Sequence, residues 1–426
     1  MRAKRIRSIL AAGLLCTVAA PASVIADDSV DLAPYAMLRS LQFVQDTVVQ
    51  GDHSAGEMQR FMLATLDKRL RTANASVFED PRNVDAAMIY AMSGGNPATL
   101  EYLASRDVAG HFDSRVADGL RKYLSGKGNL AAKNLAEMAE EYRDQKIGPY
   151  LALVSGNVAV SRDPKAALVH YDWARLTAPG TIIEEAALRR SVAIAVEANM
   201  VPEGLLYSRQ YARRFVHSPY ASQFADFFVD LVVGHFGQIT EADIDGTVEF
   251  MDVDRRREVF LRIARAAAIR GNAALARLAS AKAEALAGNP SDTPGSMARL
   301  YGGVADISTS AVGSAMDAIS AIPEENLSER DRALLQAAKA VASQVIAKPE
   351  ADSLAQESPV NLDDTTQAGS SSASTGNEIA GTSPNANDPV AGSQASFDPA
   401  FKTFVDGGRS KLDALDELLK EETASP

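Results

Sequence analysis

The stretch Gly51-Asp52-His53-Ser54-Ala55-Gly56-Glu57 puts two carboxylates, an imidazole and a hydroxyl within a few residues of one another. Those side-chain types can form a nucleophile with its base, or ligate a metal. The rest of the sequence argues against both. The five histidines, His53, His111, His170, His217 and His235, are scattered, and none has a second His or Cys at the spacing of an H-E-x-x-H site. There is no G-x-S-x-G elbow. Gly126-Lys127 lacks the upstream glycine of a phosphate-binding loop, and Gly128 stands where a magnesium-binding Ser or Thr belongs. The acidic pairs Glu140-Glu141, Glu184-Glu185 and Glu324-Glu325 fit helix faces and caps better than a shared-proton dyad. No catalytic residue, metal or cofactor is therefore expected. Gly51 sits where a left-handed helix end is easiest, and Ser54 with Glu57 matches the S-x-x-E capping box. The segment reads as the corner of a helical hairpin.

The elements that carry that corner are helices. From residue 31 to 347 apolar residues recur every three or four positions with little strand-like alternation, which predicts an all-α body. Breaks rich in Gly, Asn, Asp and Pro recur at Gly51, Gly95, Gly128, Arg162, Met200, Gly237 and Gly271, and from the second onward they are 33, 34, 38, 37 and 34 residues apart. That period is the mark of stacked helical hairpins. In DPKAALVHYDWARLTAP, the order Ala167, Leu168, Tyr171, Ala174, Pro179 resembles the second helix of a tetratricopeptide repeat. YLALVSGN ahead of it resembles the first, with Gly156 at the close contact. The expected fold is a TPR-like α-solenoid with degenerate units, over residues 27–347.

The ends differ from the body. Residues 1–26 combine Arg2, Lys4, Arg5 and Arg7, an apolar run and a small-residue site, which reads as a Sec signal peptide cut between Ala26 and Asp27. Export would place the mature chain in the periplasm of a Gram-negative cell. The single cysteine, Cys16, lies in that segment, so the mature chain is expected to have neither disulfide nor thiol chemistry. Loss of its four basic residues takes the formal net charge from −12 to −16, which disfavours nucleic acid and anionic membrane as partners. Residues 348–397, rich in Ser, Ala, Asn, Asp and Gly, have the composition of a disordered linker. Residues 398–426 carry Leu412, Leu415, Leu418 and Leu419 on one stripe of a short amphipathic helix.

Two features are candidates for partner binding. Arginine is the sole basic type from Arg189 to Arg277, and Arg209, Arg213, Arg255, Arg262 and Arg265 form a ridge suited to bidentate contacts with carboxylates. Acidic neighbours such as Glu258, four residues before Arg262, offer the same arginines i,i+4 pairs within the chain. The leucine-striped tail is the second candidate, and it can dock on its own solenoid or on another protein.

The run PYAMLRSLQFVQDTVVQGDHSAGEMQRFMLATLDKRL, residues 34–70, resembles the opening of the mature MotC proteins, periplasmic motility proteins of rhizobia and their relatives. The resemblance continues through DPKAALVHYDWARLTAPGTIIEEAALRRSVAIA and thins out in the linker. It implies a non-enzymatic accessory of flagellar rotation that associates with the periplasmic portion of the stator subunit MotB. A generic periplasmic scaffold is the competing expectation. A helical lytic transglycosylase is a remote one: Gly56-Glu57-Met58-Gln59 only partly echoes that family's Gly-Leu-Met-Gln, and no Glu-Ser pair precedes it.

Overall fold

A computed structural model describes residues 32–347, apart from 289–291 and 308. The signal segment with its Ala26–Asp27 cleavage, the 348–397 linker and the leucine stripe of the tail lie outside the described residues. Among the described residues are seventeen α-helices and no strand. Most are paired in antiparallel hairpins: α1 (Pro34–Val49) with α2 (Ala55–Thr72), α3 (Pro81–Met92) with α4 (Pro97–Arg106), α5 (Ser114–Leu124) with α6 (Ala132–Glu141), and α7 (Gly148–Ala159) with α8 (Pro164–Thr177). The series continues as α9 (Ile182–Glu197) with α10 (Val201–Phe215), α13 (Val253–Ile269) with α14 (Ala273–Ala285), and α15 (Thr293–Asp306) with α16 (Val312–Ser320). Between them α11 (Ala221–Gly234) packs on α9 and α13, and α12 (Glu241–Val248) packs on α10. The last element, α17 (Glu329–Ile346), rests on α15 and α16. The helical-repeat architecture matches the sequence reading.

Every break seen in the sequence falls between two consecutive helices of this series. The chain starts each new helix with groups that satisfy its orphan amides. Asp163 accepts from the Ala166 N–H, Asn272 from the Leu275 N–H, and Thr240 forms a reciprocal capping box with Asp243. Proline occupies the first turn of α1, α3, α4, α7, α8 and α10, where its missing N–H costs nothing. In the α7–α8 hairpin, Ala167, Tyr171 and Ala174 are buried, and a Cβ on Gly156 would stand 2.5 Å from the Tyr171 ring. The tetratricopeptide-like order therefore works as the sequence predicts: the absent side chain is what lets the aromatic seat.

The predicted capping box at Ser54 and Glu57 is not formed. Ser54 has helical backbone angles and caps nothing with its side chain. Its hydroxyl and its N–H both donate to Asp52 Oδ1, at 2.5 and 3.1 Å, so Asp52 organises the turn. Glu57 instead lies 3.7 Å from exposed Arg60. Asp80, Asp113 and Asp252 cap their helices by the same short-range bond to the backbone.

Asp113 also accepts from Arg115 Nη2 and the Tyr142 hydroxyl, both at 2.8 Å, tying α5 to α6. The Arg115 hydrogen bond, with help from Tyr142, holds the Asp113 carboxyl down to about 2. A depressed folded value adds stability above the ordinary carboxylate range, which is lost as pH falls from about 4 towards 2. Asp113→Asn, which keeps the cap and removes the charge, is expected to be less stable than the parent at pH 7, and the gap should close by about pH 2. Denaturant melts across that range check it, and a gap independent of pH would refute it.

The buried side chains form two clusters, one over α1–α9 and one centred on α8–α17, with Tyr211 stacked on Phe224 at 4.2 Å in the second. The hairpin series is not a simple stack at its N-terminal end. α3 packs directly on α7, and α1 reaches past its neighbours to α9. Three polar contacts hold α1 there: Gln42 Nε2 donates to the Tyr150 hydroxyl at 2.7 Å, the Ile182 N–H to Asp46 Oδ1 at 2.9 Å, and Gln50 Nε2 to the Gly180 carbonyl at 2.9 Å. The first helix therefore adds a second side-chain acceptor at the start of the ninth, beside Thr181, which accepts from the Ile183 N–H.

Candidate functional site

Folding α1 back across α3, α7 and α9 encloses a groove of about 600 Å³. One face of α1 supplies Arg39, Gln42 and Asp46, and α3 supplies Arg82 and Asp85. The loop before α7 adds Arg143 and Lys146, and Leu38, Ile89 and Ile183 give the walls an apolar base. Arg82 lies over the Tyr35 ring at 4.1 Å and Arg143 over Trp173 at 5.6 Å, which fixes both guanidinium planes. Neither Arg39 nor Lys146 forms a salt bridge among the described residues.

Burial sets the protonation chemistry of this groove. It pushes the Asp85 carboxyl up, with Lys146 opposing, and pushes Asp46 up, with the Ile182 N–H opposing. The Tyr150 hydroxyl is pushed up to about 12 by burial, against the hydrogen bond from Gln42. The wall is a mixed array of donors and acceptors with no histidine, serine or cysteine. Such an array suits the recognition of a polar chain. Among the described residues, no three His, Cys, Asp or Glu side chains come together as a metal-holding group.

The arginine ridge is split by the fold. Arg209 Nη2 bonds Asp243 at 2.7 Å, and Arg213 lies 5.9 Å from the centre of the Phe250 ring, both between α10 and the α12 region. Arg255, Arg262 and Arg265 instead share one wall of a second groove, between α13 and α15. Arg262 reaches Asp226 at 2.7 Å and also Glu258, and Arg265 reaches Asp331 at 3.5 Å. Arg255 bonds the Val216 carbonyl and lies 2.9 Å from His217 Nδ1. Each of the five thus has a partner within the chain, and three of them still face one cleft. The sequence reading missed the N-terminal groove. Its one visible trace is the polar stripe Arg39, Gln42, Asp46 at helical spacing, on a helix that otherwise buries Leu38, Leu41, Val48 and Val49.

The family model described as Chemotaxis protein MotC matches residues 1–424. The chain belongs to the MotC family. A curated relative, Chemotaxis protein MotC of Rhizobium meliloti (strain 1021), is 51% identical over 430 residues, covering 98% of this chain and 99% of that protein. No solved structure matches the chain. The segment that first drew attention, Gly51 to Glu57, is in this MotC-family chain the corner joining the helix that lines the groove to its partner. No helix among the described residues is long and apolar enough to cross a membrane.

Proposed function

We propose that this chain is an exported, periplasmic accessory of flagellar rotation that binds the periplasmic portion of the stator subunit MotB. Full-length membership in a family described as chemotaxis proteins carries the reading. The all-helical fold and the N-terminal groove support a binding role in place of catalysis. In this reading the groove walls, with Arg39 and Lys146 outside any salt bridge among the described residues, receive a polar stretch of the stator subunit. Binding shifts the stator towards an assembled, ion-conducting conformation only by the difference in affinity between its two states, so a tenfold shift needs about 1.4 kcal/mol of preference.

The mature chain is expected to co-purify with the MotB periplasmic fragment, and Arg39→Glu with Lys146→Glu to weaken that complex about tenfold or more without lowering the melting temperature. A deletion strain should build flagella that do not turn. Normal swimming of that strain would refute the stator role, and capture of unrelated envelope proteins in place of MotB would favour the general scaffold.

A further inference from the structure

Arg190, Ala193, Ile194 and Glu197 follow one another along a single side of α9, at i, i+3, i+4 and i+7. They form one wall of a cleft of about 310 Å³, which Tyr123 of α5, Asn157 and Val160 at the end of α7, and Tyr171 of α8 complete. None of these residues lines the N-terminal groove. The polar groups across from α9 are joined in one direction. The Tyr171 hydroxyl donates to Asn157 Oδ1 at 2.7 Å, and Asn157 Nδ2 donates to the Tyr123 hydroxyl at 2.8 Å. Tyr171 is fixed by its seat against Gly156, so the far end of the chain is Tyr123, whose O–H proton has no acceptor among the described residues.

The charges of the α9 wall are unspent too. Arg190 is half-buried and forms neither a salt bridge nor a hydrogen bond among the described residues, whereas its neighbour Arg189 is bonded to Glu185 and Gln223. Arg190 stands close to the hydroxyl chain: burial pushes the Tyr171 hydroxyl up, and the charge of Arg190 opposes that. Glu197 is exposed, forms no salt bridge among the described residues, and lies two turns, about 10 Å, along the helix from Arg190. One end of the cleft thus offers only donors and positive charge, and the other a carboxylate. Between them Val160, Ala193 and Ile194 are small or apolar.

We propose that this cleft binds a short peptide with free ends, its terminal carboxylate on Arg190 and Tyr123 and its amino group on Glu197. A guanidinium beside a hydroxyl donor matches the two oxygens of a carboxylate. The second Nδ2 proton of Asn157 is left for a peptide carbonyl. Three extended residues span about 10 Å, the separation of the two charges, and the wall between them accepts side chains the size of alanine. A simple anion would satisfy Arg190 and leave Glu197 unused, so the pair of opposite charges selects a zwitterion of this length.

Tri-alanine is the probe, titrated calorimetrically into the mature chain. Binding is expected with a Kd of about 1 mM or tighter. It should weaken about tenfold for tri-alanine amide, which lacks the carboxylate, and by a similar factor on Arg190→Gln. Arg190→Gln breaks no internal bond, so its melting temperature should match that of the parent. Tyr123→Phe should weaken binding about threefold. Glu197→Gln should weaken tri-alanine and leave N-acetyl-tri-alanine unchanged, a difference that a purely structural role would not produce. Absence of binding at about 10 mM tri-alanine would overturn the proposal. So would equal affinity for the amide, an affinity that ignores Arg190→Gln, or acetate binding as tightly as tri-alanine, which would make the cleft a simple anion site.

Discussion

Glu185→Ala is expected to lower the unfolding free energy by about 3–5 kcal/mol, the largest effect of any single polar substitution in the solenoid. Glu185 is fully buried in the first turn of α9. It accepts from Arg189 Nε at 2.9 Å, Arg189 Nη2 at 3.3 Å and the Tyr211 hydroxyl at 2.8 Å. Arg189 in turn donates to Gln223 Oε1 at 2.6 Å and lies over the Tyr220 ring at 4.6 Å, so one carboxylate links α9, α10 and the start of α11. Burial works against the charge of Arg189, yet the hydrogen bond and charge of Glu185 outweigh it and raise the guanidinium. Removing Glu185 leaves a largely buried cation and a buried hydroxyl without their acceptor. Glu185→Gln keeps the shape and part of the hydrogen bonding, and should cost less, about 1–3 kcal/mol. Urea titration separates the two, and a loss below about 1 kcal/mol for Glu185→Ala would show that the network is dispensable.

The second large effect is expected at the corner. Gly51 has φ +116°, and a Cβ there would lie 2.8 Å from the Cβ of His217. Gly51→Ala thus combines backbone strain with a collision against a residue that itself contacts Arg255, and should cost about 2–3 kcal/mol. The loss should be local. With the corner displaced, the bonds from Gln50 to Gly180 and from Ile182 to Asp46 are the first to open. Amide exchange in α1 should rise while α13 stays protected, and under the proposed stator role affinity for the MotB fragment should fall because α1 forms a wall of the groove. Gly56→Ala is the control: nothing lies within 4 Å of its Cβ position and the site is helical, so stability should hold or rise slightly. If both substitutions behave alike, the docking of α1 is not what positions the corner.

Much of this fold was legible because its determinants are local. Helix starts depend on a cap residue and an amide two or three positions away, and the turns on residues that tolerate sharp backbone angles. Asp163-Pro164 and Gly271-Asn272 therefore announced their hairpins in the sequence. Gly156 facing Tyr171 was readable because a known repeat fixes the spacing between them. The Ser54 capping box failed for an equally local reason: Asp52, two residues earlier, offers a carboxylate that captures the Ser54 hydroxyl.

The N-terminal groove was not legible. Asp46 and Ile182 are 136 positions apart, and no periodicity within either helix says that they meet. The same holds for Gly51 against His217, and for Arg255, Arg262 and Arg265 gathering on one cleft while Arg209 and Arg213 turn to another helix. By itself the sequence determined the helices, their pairing into hairpins and the family, since each rests on short-range spacing or on matching residues along the chain. Only the tertiary structure decided that the first helix crosses to the ninth and which charges share a groove. Those outcomes depend on how successive hairpins rotate and which buried polar groups then need partners, and both are summed over the whole solenoid.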